Sequence, residues 1–265
     1  MSKTRERIQA VVNSQDRLNS VSGETSTNFT WKFNKNTPRI TEILIQSIQF
    51  PFTFYTINAN NNQLRVNRGS IKTILIPNGN YTATTMISVL NLALNNATDP
   101  DTGFPYNGFA GESFSVLFSS STLKFTVTNI NPFIIYSATS DALSTMAKNL
   151  GFQLSSAMTT SVTADSVVDL SGPSYIRIKS NYLTQPTQQK PLYINNSYAN
   201  SLFILPINAS SGSFVSTDIQ IPIRYTFKKE ILATDIIDFT VVDDRGNQLN
   251  LNGADWSMYI IFITE

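Results

Sequence analysis

ILIPNGNYTATTMISVLNLAL, residues 74–94, holds in one uninterrupted run a short apolar strand, an Asn-Gly turn and a capped amphipathic helix. Thr82 stands where a helix N-cap belongs. Tyr81 and Met86 occupy the two positions of a hydrophobic staple, and Met86, Val89, Leu90, Ala93 and Leu94 recur at helical spacing. The spacing predicts a helix over 82–95 pinned onto a sheet, with Leu90 in the core. Alternation dominates on both sides of it, so the helix is an accessory to a β protein.

Downstream, Phe114, Val116 and Phe118 alternate with Ser115 and Leu117, a polar turn spans Ser119 to Ser121, and Leu123, Phe125 and Val127 alternate with Lys124, Thr126 and Thr128. This is the pattern of a β-hairpin. A second helix is expected from a Ser140 cap through Leu143, Met146, Ala147 and Leu150, with Asp141 and Lys148 suiting the helix dipole. Gly151 should end it, and Phe152 then folds back on Met146 or Ala147.

Upstream, Phe29, Trp31 and Phe33 face one way and Thr30 and Lys32 the other, a half-buried strand, and a more evenly apolar strand runs from Ile40 to Phe50. Leu64 to Ile76 adds one or two more. Asn95 to Gly111, with its Pro and Gly residues, is a loop. Thr159 to Pro173 reads as a polar connection. Strands resume at Tyr175 to Lys179, Ser201 to Ile207 and Ile219 to Phe227. Ile236 to Val242, an Asp243-Asp244-Arg245-Gly246 turn and Trp256 to Ile263 close the chain, with Trp256, Met258, Ile260 and Phe262 on one face. Nine or ten irregularly spaced strands with long loops predict an all-β protein, a β-sandwich with one or two short helices. Periodicity does not give the strand order.

The 265 residues include no Cys and no His. Those two zeros remove Ser-His-Asp and Cys-His nucleophile systems, an imidazole base and the usual zinc and copper sites. With no disulfides, the chain suits folding in a reducing compartment. Only 14% of residues are charged and 41% are hydrophobic. Asn, Ser, Thr and Gln must therefore cover much of the surface, as on flanks that are buried against neighbouring subunits.

Net charge is +1, but residues 1–72 carry ten Lys and Arg against four acids. Residues 1–25 are polar and are read as an amino-terminal arm, with 26–265 as one folded domain. MSKTRERIQA has no apolar core of the kind a signal peptide needs, and no apolar run is long enough to span a bilayer, so a soluble chain without a transmembrane segment is expected.

Three stretches resemble the penton, or vertex, capsid proteins of tailless double-stranded DNA viruses, among them virophages, Polinton-like viruses and relatives among large DNA viruses. They are the arm leading into STNFTWKF (26–33); the IPNGNYTATTMISVLNLAL helix (76–94) with FSVLF (114–118), LKFTVT (123–128) and NLGF (149–152); and IDFTVVDDRGNQLNLNG (237–253) followed by WSMYIIFI (256–263). The resemblance implies a single jelly roll that forms a homopentamer at the icosahedral fivefold vertices of the virion, assembled inside the host cell beside a major double jelly-roll capsid protein. It also implies an arm on the inner side of the shell, where Lys3, Arg5, Arg7 and Arg17 could meet inner capsid components or DNA.

The residues leave other readings open. Asp235, Asp238, Asp243, Asp244 and Asp255 could in principle form a calcium site or a glycosidase pair, but Asp243 to Gly246 reads more simply as turn chemistry. Tyr182, Tyr193, Tyr198 and Phe203 could line a carbohydrate groove of a virion attachment protein, and a minor capsid or cement role is a further alternative. Phosphate-binding loops are absent, and the sequons are expected to stay bare. The expectation is a structural protein with no catalytic residues, no metal ligands and no cofactor.

Overall fold

A computed structural model describes residues 6–17, 23–32, 39–184, 201–231 and 236–264. Phe33, Lys3, Arg5, Tyr193, Tyr198 and Asp235, all singled out above, lie outside the described residues. The chain divides into two compact units, one made of Met1–Phe54 and Pro173–Glu265, the other of Tyr55–Gly172. Alternation reveals that a strand is half-buried but not which sheet it joins.

Among the described residues the first unit holds eight strands: β1 Glu6–Asn13, β2 Asn28–Lys32, β3 Ile40–Pro51, then, after the second unit's span of chain, β9 Tyr175–Lys179, β10 Ser201–Pro206, β11 Phe214–Ile231, β12 Ile236–Asp243 and β13 Ser257–Thr264. They form two four-stranded sheets with orders β1-β13-β3-β11 and β10-β9-β12-β2. The antiparallel pairs nest: β9 with β10, β3 with β11, β2 with β12, and β1 with β13. A long antiparallel ribbon, folded at its middle and rolled so that successive strands fall in alternate sheets, gives this order. It is the eight-stranded jelly roll.

Its core follows from the alternation seen in the sequence. Trp256 packs among Phe29, Phe50 and Phe239 with ring centroids 5.8–6.2 Å away, and Met258, Ile260 and Phe262 continue the same buried face of β13. The Trp256 indole donates to the Ser26 carbonyl at 2.7 Å, so the ring is buried without orphaning its N–H. Both β3 and β13 are also apolar on the opposite face, where Leu44, Ile261 and Ile263 are buried together. These strands are central in their sheet, which explains the even hydrophobicity of Ile40 to Phe50.

Residues 6–13, expected as part of an arm, are instead a strand paired with β13 along its whole length, from Glu6 opposite Thr264 to Asn13 opposite Ser257. Ile8 and Ala10 pack on the core and Val12 is buried in it. Small residues and flanking charges hide this alternation in the sequence.

The second unit builds a sheet ordered β5-β4-β7-β6 from β4 Gln63–Asn67, β5 Ile71–Leu75, β6 Ser115–Ser119 and β7 Lys124–Ile135, with β8 Thr159–Thr163 pairing β7. Helix α1, Ala83–Leu94, forms as predicted. The Thr82 hydroxyl accepts the Thr85 N–H at 3.2 Å while the Thr85 hydroxyl accepts the Thr82 N–H at 2.9 Å, a reciprocal cap. Met86, Leu90, Ala93 and Leu94 are buried in a core shared with Phe125, Val127, Phe133 and Ile135. The hairpin also forms, with Val116 opposite Val127 and Phe118 opposite Phe125.

Two expectations fail here. Thr159–Thr163, read as a connection, is a strand; only Val162 of TTSVT is buried, so no alternation announced it. The second helix, expected from Ser140, is a chain of turns. The Met146 N–H donates to Gln63 of β4 at 2.8 Å, and the Ser144 hydroxyl accepts the Arg65 N–H at 3.1 Å, so the segment bonds sideways to a strand edge instead of along itself. Its predicted end is nevertheless present. Phe152 N–H bonds the Ala147 carbonyl and Gly151 N–H the Lys148 carbonyl, the two bonds of a Schellman cap, with Gly151 at φ 89° and Phe152 buried.

Candidate functional site

Each described acidic side chain of interest is already committed to structure. Asp243 Oδ1 accepts the N–H groups of Arg245 and Asn247 at 2.9 and 2.7 Å, and Gly246 follows at φ 92°: this is turn chemistry, as its sequence suggests. Asp244 accepts the Ser174 N–H at 3.1 Å. Asp238 caps the short helix α2, Asn181–Thr184, by accepting from Asn181 and Tyr182 at 2.9 and 2.8 Å. Among the described residues, no group of three or more metal-ligating side chains converges. Asp238, Asp243 and Asp244 thus serve as acceptors for backbone N–H groups.

Asp255 has a different task. It accepts the Ser14 hydroxyl at 2.7 Å and the Arg17 guanidinium at 2.8 Å, while Ser14 accepts the Trp256 N–H and its own N–H bonds the Trp256 carbonyl. This network ties the end of β1 to the start of β13 across more than two hundred residues. A single Ser and a single Asp so far apart give no signal in the sequence. Of the four basic residues proposed for the arm, Arg17 is therefore paired, and Arg7 is exposed on β1.

Each flank of the jelly roll carries an end strand of either sheet. One carries β10 and β11, joined where the Tyr225 hydroxyl donates to the Leu202 carbonyl at 2.5 Å. The strand β10, SLFILP, has no charged residue and leaves Ile204 43% exposed, whereas β11 opens on Phe214, 69% exposed, and includes Asp218, Arg224, Lys228, Lys229 and Glu230 in its sequence. The other flank carries β1 and β2, with Glu6, Arg7 and Lys32 in their strands. Among the described residues, β1 and β11 end one sheet and β10 and β2 end the other. Of the aromatics considered for a carbohydrate groove, Phe203 is buried in the core and Tyr182 packs against it.

In the second unit, Asn91 and Asn95 on the last turns of α1 reach the edge of β6. Asn91 accepts the Val116 N–H at 2.9 Å, and Asn95 accepts from Phe114 and donates to its carbonyl. The helix thereby covers an edge that would otherwise invite pairing. The loop beyond it turns on Asp99, whose carboxyl is held below the usual range chiefly by the Thr102 N–H, with burial opposing and the Asp101 N–H adding a lesser lowering effect. Burial, and then the Asp99 charge, push the Tyr106 phenol well above its ordinary value.

No protein-family model matches the chain, and no curated protein matches it in sequence. Among solved structures, the crystal structure of the mavirus penton protein aligns over 99% of both chains with a TM-score of 0.47 at 10% identity. Among the described residues, no helix is long and apolar enough to cross a membrane.

Proposed function

We propose that the chain is a structural capsid protein that forms homopentameric pentons at icosahedral fivefold vertices, beside a major double jelly-roll capsid protein, and that it carries no catalytic centre. The observation that carries this reading is an uncharged end strand, β10, on a jelly roll whose β1 and β2 end strands hold Glu6, Arg7 and Lys32. A ring closes by heterologous contacts, in which one patch meets a different patch on the next subunit. The uncharged β10 edge with exposed Ile204, and the exposed Phe214 that begins β11, can be desolvated at modest cost, and the β1 and β2 flank is the candidate partner. The resemblance of the helix, hairpin and carboxy-terminal stretches to vertex proteins supports the same reading. Basic residues of the amino-terminal segment are the candidates for contact with inner capsid components or DNA.

Mass photometry of the purified protein tests the ring. A species of five times the chain mass is expected, and Ile204→Asp with Phe214→Asp should return it to monomer without changing the melting profile. A monomer at every concentration, or a pentamer indifferent to both substitutions, counts against these contacts. A particle reconstruction lacking this density at the fivefold axes overturns the assignment.

A further inference from the structure

A groove of about 390 Å³ opens on the second unit. It is lined by Asn62, Gln63, Leu75, Pro77, Asn78 and Phe104 among others, and no lining residue is charged. Its volume falls in the range of small-molecule sites, and it combines apolar surface with a few amides, the usual composition of such sites.

Two features are unusual for plain surface. Asn62 is only 5% exposed, and its Nδ2 is committed, donating to the Ile76 carbonyl at 3.0 Å and reaching Asn78 Oδ1 at 3.4 Å. That fixes the amide's orientation and leaves its buried Oδ1 without a donor. Buried acceptors are normally satisfied, so this one calls for a hydrogen-bonding hydroxyl or amide from outside the chain. The second feature is Phe104. Its ring is partly buried against the second unit's core in a loop otherwise rich in Gly and Pro, and it is held firmly: the Asp99 N–H bonds the Phe104 carbonyl at 2.9 Å, and Tyr106 packs edge-on at 5.1 Å.

We infer that this groove binds a neutral saccharide. A sugar ring presents C–H groups that suit the negative face of an aromatic ring, and hydroxyls that both donate and accept. Gln63 and Asn78 supply both kinds of partner, and Asn62 Oδ1 takes one more donor. The uncharged lining disfavours sialic acid, phosphate and peptides that depend on charge. This inference is independent of the vertex reading, because a monomer could bind sugar and a pentamer could fail to.

The full chain should be retained on an array of neutral glycans and not on sialylated ones. Saturation-transfer NMR with N-acetylglucosamine, methyl galactoside and methyl glucoside then ranks the neutral probes. Phe104→Ala should weaken the best of them by about tenfold, the equivalent of one lost ring contact. Gln63→Ala, at a partly exposed position, should weaken it severalfold with an unchanged melting curve, so a folding defect in the first variant does not decide the question. Retention of no neutral glycan, preference for sialylated ones, or binding indifferent to both substitutions overturns the inference.

Discussion

Replacing Leu90 with Ala tests whether the helix of residues 83–94 belongs to a core of its own. Leu90 is 1% exposed and packs in the cluster of Tyr55–Gly172, which shares no buried residue with the jelly-roll cluster. Three carbon groups leave the core at about 0.8 kcal/mol each, roughly 2.4 kcal/mol, and the residual cavity raises the loss to about 3–4 kcal/mol. For a unit of this size that lowers its melting temperature by roughly 10–15 °C. Both tryptophans, Trp31 and Trp256, lie in the first unit, so their fluorescence follows the jelly roll alone. Calorimetry should therefore show one transition displaced while the tryptophan transition stays near its wild-type temperature. Leu117→Ala, at a position 61% exposed, should move neither transition by more than about 0.5 kcal/mol. A Leu90→Ala loss below about 1 kcal/mol would refute the burial argument, and equal displacement of both signals would refute separate cores.

Other substitutions probe other joints. Ser14→Ala leaves the buried Trp256 N–H without an acceptor and should cost the jelly roll about 1–3 kcal/mol, read by tryptophan fluorescence in urea. Deleting residues 1–13 should do more, exposing the edge of β13 and producing aggregation; a deletion that melts like wild type would mean the strand contributes nothing. Thr82→Ala removes the N-cap and should cost the second unit about 1 kcal/mol by calorimetry. Glu112 is held below the ordinary glutamate value of 4.5, chiefly by the Asn129 amide and then by Asn131, against a lesser effect of burial. A carboxyl depressed in the folded state stabilises it above the unfolded value, and that stability is lost as the pH falls through the folded value. The second unit should therefore weaken below about pH 4.5, and Glu112→Gln should flatten that slope.

Much of this protein is local physics and was legible in the chain. The cap at Thr82, the stripe from Met86 to Leu94, the Phe114 to Thr128 hairpin, the Gly151 stop and the Asp243 turn each depend on residues within a few positions of one another. Helical and strand periods, together with side chains that bond their own backbone, determine such features. The absence of Cys and His likewise restricts the available chemistry whatever the fold. Partner choice is another matter. Alternation in Leu64 to Ile76 and in Ile236 to Val242 looks the same, yet one run joins a separate sheet and the other the jelly roll, because sheet membership is decided by contacts between distant segments. The strand at Glu6–Asn13 exists because β13 offers it an edge, and the residues after Ser140 forgo a helix because β4 offers them bonds. The groove, too, brings Asn62 and Phe104 together from forty residues apart, a proximity that no local pattern encodes.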